Sequence, residues 1–234
     1  MFPSPRFFPM GDQGLLIEFG DRIDAALSGH IASLADRLRE SRPIGVVDIV
    51  PAYTTLTLHY DPAAVGKGNS PYEALAETIG GWLARQPAEE TAHGRTVDIP
   101  VCYGGAYGED LEELAVKRGL TRDAAVAIHS EARYHVHMLG FVPGFAYLGG
   151  LDARLVTPRR ETPRARVPAG SVGIGGEQTG VYPLETPGGW NIIGRTPLRL
   201  FQPEASPPCL LNAGDTVRFV PITAQQFESM GGGK

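Results

Sequence analysis

Four arginines set the chemistry this chain can offer. Arg159, Arg160, Arg164 and Arg166 stand close together, with one acid, Glu161, between them and Pro158, Pro163 and Pro168 around them. Proline fixes φ, so the loop is stiff and its guanidinium groups are held in place. Guanidinium recognises carboxylate and phosphate through paired N–H donors. The run therefore reads as an anion site or as a set of ion pairs, and Arg159, Arg160 and Arg164 are its candidates.

The next stretch, Gly170 to Gly180, is glycine-rich. Such loops can aim backbone N–H groups at a phosphate. The dinucleotide fingerprint fails here, because Gly173 and Gly175 are followed by Gln178 where a third glycine is required. No Walker A sequence occurs. Nor is there a Gly-x-Ser-x-Gly elbow, so a serine nucleophile has no support. Tight strand connections account for these glycines as well.

Three histidines complete the reactive set. His135 and His137 alternate with apolar residues on a predicted strand, but no third ligand stands near them, so no metal site is predicted. His129 falls at a predicted helix end, where it caps the helix or serves as an acid/base. Phe141, Pro143, Phe145, Tyr147, Tyr182 and Trp190 lie on Gly/Pro-rich turns. They are either barrel packing or the lining of an apolar pocket. In the second case Thr186-Pro187-Gly188-Gly189-Trp190 holds the indole at a rim, and Gln178 and Tyr182 supply polar groups.

The elements that must position these residues follow from periodicity. Two strands joined at Gly11-Asp12-Gln13-Gly14 open the chain, and an amphipathic helix over 24–39 follows. Two more strands, at 44–50 and 54–60, precede a helix begun by Pro71. This order predicts an α+β domain over residues 1–90, a variant of the ferredoxin-like layout. Polar residues 86–95 read as a linker. Beyond them come a strand at 97–103, helices capped by Asp110 and Thr121, a strand at 133–139, many short strands and a last strand at 216–220. That pattern predicts a closed β-barrel domain over 95–224, with residues 225–234 as a tail.

Between Phe141 and Pro197 stand seven prolines and eleven glycines, yet the aromatic and β-branched content is too high for a disordered linker. The whole chain has 234 residues, a net charge of −5 and 42% hydrophobic residues. The negative balance argues against a nucleic-acid surface, and no apolar run is long enough for a membrane helix. No signal peptide is read at the N-terminus, and Cys102 and Cys209 lie in no metal spacing. A cytoplasmic protein without structural disulfides is expected.

Several long motifs point to a family. Gly140-Phe141-Val142-Pro143-Gly144-Phe145-Ala146-Tyr147-Leu148, Thr157-Pro158-Arg159-Arg160, the run Val167 to Gly176, Gln178 to Pro183 and Thr186 to Trp190 closely resemble the allophanate hydrolase subunit-one-type family. Val101-Cys102-Tyr103-Gly104-Gly105 and Val217 to Pro221 fit as well, so the likeness covers about residues 95–222 strongly and the rest loosely. The resemblance implies that the barrel is cyclophilin-like. It implies a subunit of an ATP-dependent 5-oxoprolinase complex that opens 5-oxo-L-proline to L-glutamate. A PxpC/KipA-like partner and a PxpA-like subunit are implied with it. ATP would be bound by, or shared with, a partner, since no phosphate loop is visible here. Two alternatives share the motifs: a KipI-like inhibitor of a sensor histidine kinase, and a carboxyltransferase-type subunit related to urea carboxylase.

Overall fold

In the computed structural model, which describes residues 4–66, 70–86 and 94–232, the first hairpin forms where apolar and polar residues alternate. β1 (Arg6–Pro9) and β2 (Gly14–Glu18) pair antiparallel around a turn with Gly11 at φ +63°. α1 (Ala25–Ser41) begins at Asp24, whose carboxylate accepts the Leu27 N–H at 2.9 Å. It ends at Arg42, in the left-handed region at φ 46°, one residue before Pro43. β3 (Val46–Pro51) and β4 (Thr55–Tyr60) form a second hairpin. The short α2 (Pro62–Val65) and then α3 (Pro71–Leu83) follow, the latter capped by Ser70.

The four strands make one antiparallel sheet in the order β1-β2-β4-β3. The element order ββαββα is the ferredoxin-like βαββαβ with its last strand moved to the front. Leu15, Ile17, Leu56 and Leu58 of the sheet meet Ile31, Leu34, Leu38, Leu75 and Ile79 of the helices. All are buried, each contributing roughly 1.5–3 kcal/mol of hydrophobic stabilisation.

Residues Met1–His93 and Gly94–Lys234 form two compact units. Of the predicted linker, residues 87–93 lie outside the described residues. The second unit starts with β5 (Thr96–Tyr103), α4 (Leu111–Lys117) and α5 (Arg122–Glu131). Thr121 caps α5 by accepting the Ala124 N–H at 3.1 Å. Asp110 stands at the N-cap of α4 as predicted, but its side chain makes no capping bond.

The remaining strands are β6 (Tyr134–Leu139), β7 (Ala146–Gly149), β8 (Arg164–Val167), β9 (Ser171–Gly175), β10 (Gln178–Val181), β11 (Thr186–Gly188), β12 (Asn191–Arg195) and β13 (Thr216–Pro221). Seven of the strands close a barrel in the order β10-β7-β6-β13-β5-β12-β9, while β8 and β11 pair apart from it. Val101, Val136, Leu148, Val172, Ile174, Val217 and Phe219 are among its fully buried residues, and Leu111, Leu114 and Ala125 of the helices join the same core. The fold is therefore α+β, with a closed seven-stranded barrel.

Two expectations change. The alternation read along β6 breaks at a register shift between Val136 and Met138, which leaves Met138 partly exposed and His137 buried. The residues read as a tail carry a helix instead, α6 (Ala224–Ser229). Thr223 and Gln226 close a capping box at its start, and Phe227 is 1% exposed. Gly233 and Lys234 lie outside the described residues.

Candidate functional site

The aromatic residues of the Gly/Pro-rich stretch converge. Phe145 is the hub: its ring meets those of Phe141, Tyr147, Tyr182 and Trp190 edge-on, with centroids 5.1–5.7 Å apart. Edge-to-face contacts of this kind fix ring planes as well as burying area. With Arg159, Pro187, Gly188 and Gly189 these rings line a cleft of about 230 Å³. Eight sequence candidates thus come together: Phe141, Phe145, Tyr147, Arg159, Tyr182, Gly188, Gly189 and Trp190. Pro143 and Gln178 are outside the lining. A larger depression of about 310 Å³ beside Arg195, Arg199 and Phe227 contains none of the candidates.

The glycine run supports an indole, not a phosphate. A Cβ on Gly175 would stand 2.4 Å from the Trp190 ring, so β9 must be bare there for the indole to lie on it. This places the Pro-Gly-Gly-Trp turn against the hairpin of β9 and β10.

Arg159 is held by its neighbours in sequence. The Pro158 carbonyl accepts the Asn191 side-chain amide at 2.9 Å, and the Arg160 N–H donates to the Gly189 carbonyl at 2.7 Å. Arg159 itself is exposed, and no ion pair engages it among the described residues.

Arg160 and Arg164 answer differently from their sequence reading. Both guanidinium groups bind the buried carboxylate of Asp110, Arg160 at 2.8 Å and Arg164 through two bonds of 2.8 and 2.9 Å. The same carboxylate accepts the Ile192 N–H at 2.6 Å, and Arg164 also pairs with Glu109 at 2.9 Å. The bond to Asp110 is the main reason the Arg164 pKa is raised. Arg166 pairs with Glu185 at 3.4 Å. Two of the three anion-site arginines are therefore neutralised structural groups. Asp110, which sequence reasoning placed only as a cap, is the residue that organises them.

His129 is corrected too. It is 0% exposed, inside the barrel, and outside the cleft lining. Thr179 Oγ1 donates to the Gly173 carbonyl at 3.0 Å, so it accepts from His129 Nε2 at 2.9 Å. That leaves Nδ1 to accept the Tyr103 hydroxyl at 2.7 Å. Burial lowers its pKa to about 3. A buried imidazole with both nitrogens used, outside the cleft lining, is a core polar link, not an acid/base.

Tyr147 and Tyr182 both bring phenols to the cleft lining, and Tyr182 is the buried one. Burial raises its pKa most strongly, opposed by a backbone hydrogen bond from Trp190 and by Arg159 and Arg164. His135 and His137 stand with ring centroids 5.1 Å apart, and among the described residues no group of three or more His, Cys, Asp or Glu could hold a metal. Both cysteines are free. No helix among the described residues is long and apolar enough to cross a membrane.

Residues 5–211 match the family model described as carboxyltransferase domain, subdomain C and D. The chain belongs to that family. Family relatives include a 5-oxoprolinase subunit of Bacillus subtilis (strain 168), which is 43% identical over 225 residues, 94% of each chain. A conserved uncharacterized protein of Pyrococcus horikoshii, PH0987, is 45% identical, with 95% of this chain and 100% of that one covered and a TM-score of 0.57. The solved structure of TTHA0988 superposes with a TM-score of 0.79 at 38% identity, over 91% of this chain. The match spans only 40% of that longer protein.

Proposed function

We propose that this chain is a subunit of an ATP-dependent 5-oxoprolinase, a complex that hydrolyses 5-oxo-L-proline to L-glutamate. The observation that carries the reading is the 43% identity to a bacterial 5-oxoprolinase subunit across 94% of both chains. The cleft agrees with it: one unpaired guanidinium among aromatic walls suits a small carboxylate.

Neither the glycine run nor the paired arginines serve as a nucleotide cradle in this reading. The glycine run is covered by the indole of Trp190, and Arg160 and Arg164 are taken up by Asp110. In this reading ATP belongs to a PxpC/KipA-like partner or to an interface shared with it, and a PxpA-like subunit completes the assembly. This chain's own part is to bind and orient.

Reconstitution tests the reading. The chain is combined with both partner subunits, and glutamate release from 5-oxoproline is followed with and without ATP. Release should need ATP and should stop when this chain is left out. Equal release without the chain would overturn the proposal.

A further inference from the structure

We infer that the aromatic cleft of this chain is the binding site for a small planar ring amide bearing one carboxylate, held at two points: the carboxylate on Arg159 and the ring carbonyl oxygen on the Tyr182 hydroxyl. The inference deepens the oxoprolinase reading and rests on it for the choice of probe.

Charge selects the first point. The nearby arginines that could compete are already paired, Arg160 and Arg164 with Asp110 and Arg166 with Glu185. No carboxylate lines the cleft, so Arg159 is its one uncompensated charge among the described residues. A site with a single cation takes a monoanion; a polyphosphate would need several.

Size and shape restrict the body of the ligand. A cleft of about 230 Å³ is below the range of roughly 300–1,000 Å³ usual for drug-sized ligands. Its walls are the flat faces and edges of Phe145, Tyr182 and Trp190, which a planar ring matches.

Tyr182 supplies the second point. Its ring stands edge-on to Phe145 and Trp190 in the cleft wall, and a phenol carries one O–H that can donate. Gly188 packs close beside that hydroxyl, where a Cβ would stand 2.5 Å from it and crowd it. A phenol in this setting stays protonated at neutral pH and donates to a carbonyl oxygen, which an amide ring presents.

Phe141 marks the rim. It is 65% exposed and holds φ at +67°, a left-handed conformation that bulky side chains disfavour. Backbone strain at the mouth of a cleft fits a residue placed for a ligand. A bound ring would cover an aromatic face that is otherwise left in water.

Calorimetric titration of the purified chain and of the assembled complex tests both points, with three probes. These are 5-oxo-L-proline, 2-pyrrolidinone (the amide without the carboxylate) and cyclopentanecarboxylate (the carboxylate without the amide). The wild type should prefer 5-oxoproline to either fragment by tenfold or more. Arg159→Gln should weaken 5-oxoproline about 10- to 100-fold while leaving 2-pyrrolidinone unchanged. Tyr182→Phe should weaken it about 5- to 20-fold and leave cyclopentanecarboxylate unchanged. Arg166→Gln should bind as the wild type does, and thermal melts should show all three variants folded. If both cleft variants keep wild-type affinity in the complex, or if neither chain nor complex binds 5-oxoproline, the inference falls. Glutamate release by a complex carrying those silent variants would then leave the oxoprolinase reading standing. The expected binding pattern without any glutamate release would overturn that reading alone.

Discussion

His129 uses both ring nitrogens inside the barrel, and this has a consequence for acid stability. Its pKa is about 3 in the folded chain against about 6.5 when unfolded. Between those values the unfolded chain takes up a proton that the folded chain does not. Stability is therefore full above pH 6.5 and is lost as the pH falls from 6.5 towards 3, by up to about 5 kcal/mol from this residue. His129→Gln should be less stable than the wild type at pH 8, because the three-link chain from Tyr103 to Gly173 is disturbed. Its urea stability should nevertheless fall less steeply between pH 6.5 and 4. A wild-type slope that matches the variant's in that window would contradict the neutral imidazole. The sequence gives no warning of this role. It shows a histidine before Ser130 near a helix end, while the partners Tyr103 and Thr179 are 26 and 50 residues away. The same holds for the arginines. Residue type and spacing mark Arg159, Arg160 and Arg164 alike, and only Asp110, some 50 residues earlier, separates the free one from the paired two.

The segment from Thr157 to Arg164 shows how elements hold a site. It is fixed at one end by the bridge from Thr157 to Gly176 and at the other by Arg164 at the start of β8. Asn191 and Gly189 bind it between those ends, and Asp110 ties it to the start of α4. Asp110→Ala would leave the Arg160 guanidinium and the Ile192 N–H without their acceptor, and Arg164 with only the exposed Glu109. Loss of one partner from such a cluster costs about 3–5 kcal/mol. Chemical denaturation should show a loss of that size. Hydrogen exchange at the Arg160 and Ile192 amides should rise with it. A variant of near wild-type stability with both amides still protected would show that the brace is not needed. At this scale the sequence is readable where the rules are local: Asp24, Ser70 and Thr121 cap the helices they precede. Asp110 has the same local pattern but serves a distant set of donors. The terminal helix α6 is legible too, since Thr223 and Gln226 have capping-box spacing and Phe227 follows them. The glycines after Met230 pull the reading towards a tail.

At the scale of the molecule, the cores do not mix. One is built from residues between Phe7 and Leu83, and the two others from residues between Val97 and Phe219. Each unit thus buries its own apolar surface, the condition for folding alone. The second unit has a further constraint that the pattern of short strands could not reveal. β13 lies parallel to β5, with Val217 opposite Val97 and Phe219 opposite Ile99, and it pairs β6 on its other side. Arg218 reaches Asp98 across the parallel pair at 2.7 Å, over 120 residues of chain. The barrel closes only when its last strand enters between strands made far earlier. A chain of residues 94–234 should therefore unfold in one cooperative transition with the near-UV signal of Trp190 intact. A chain of residues 94–215, which keeps the cleft-forming stretch but lacks β13, should lose both. It would open the barrel between β5 and β6 and expose Val101, Tyr134 and Val136 to water. Cooperative unfolding of the shorter chain would mean that the cleft region is stable without closure. In that case the site would belong to the hairpins of β6 to β12 and not to the barrel.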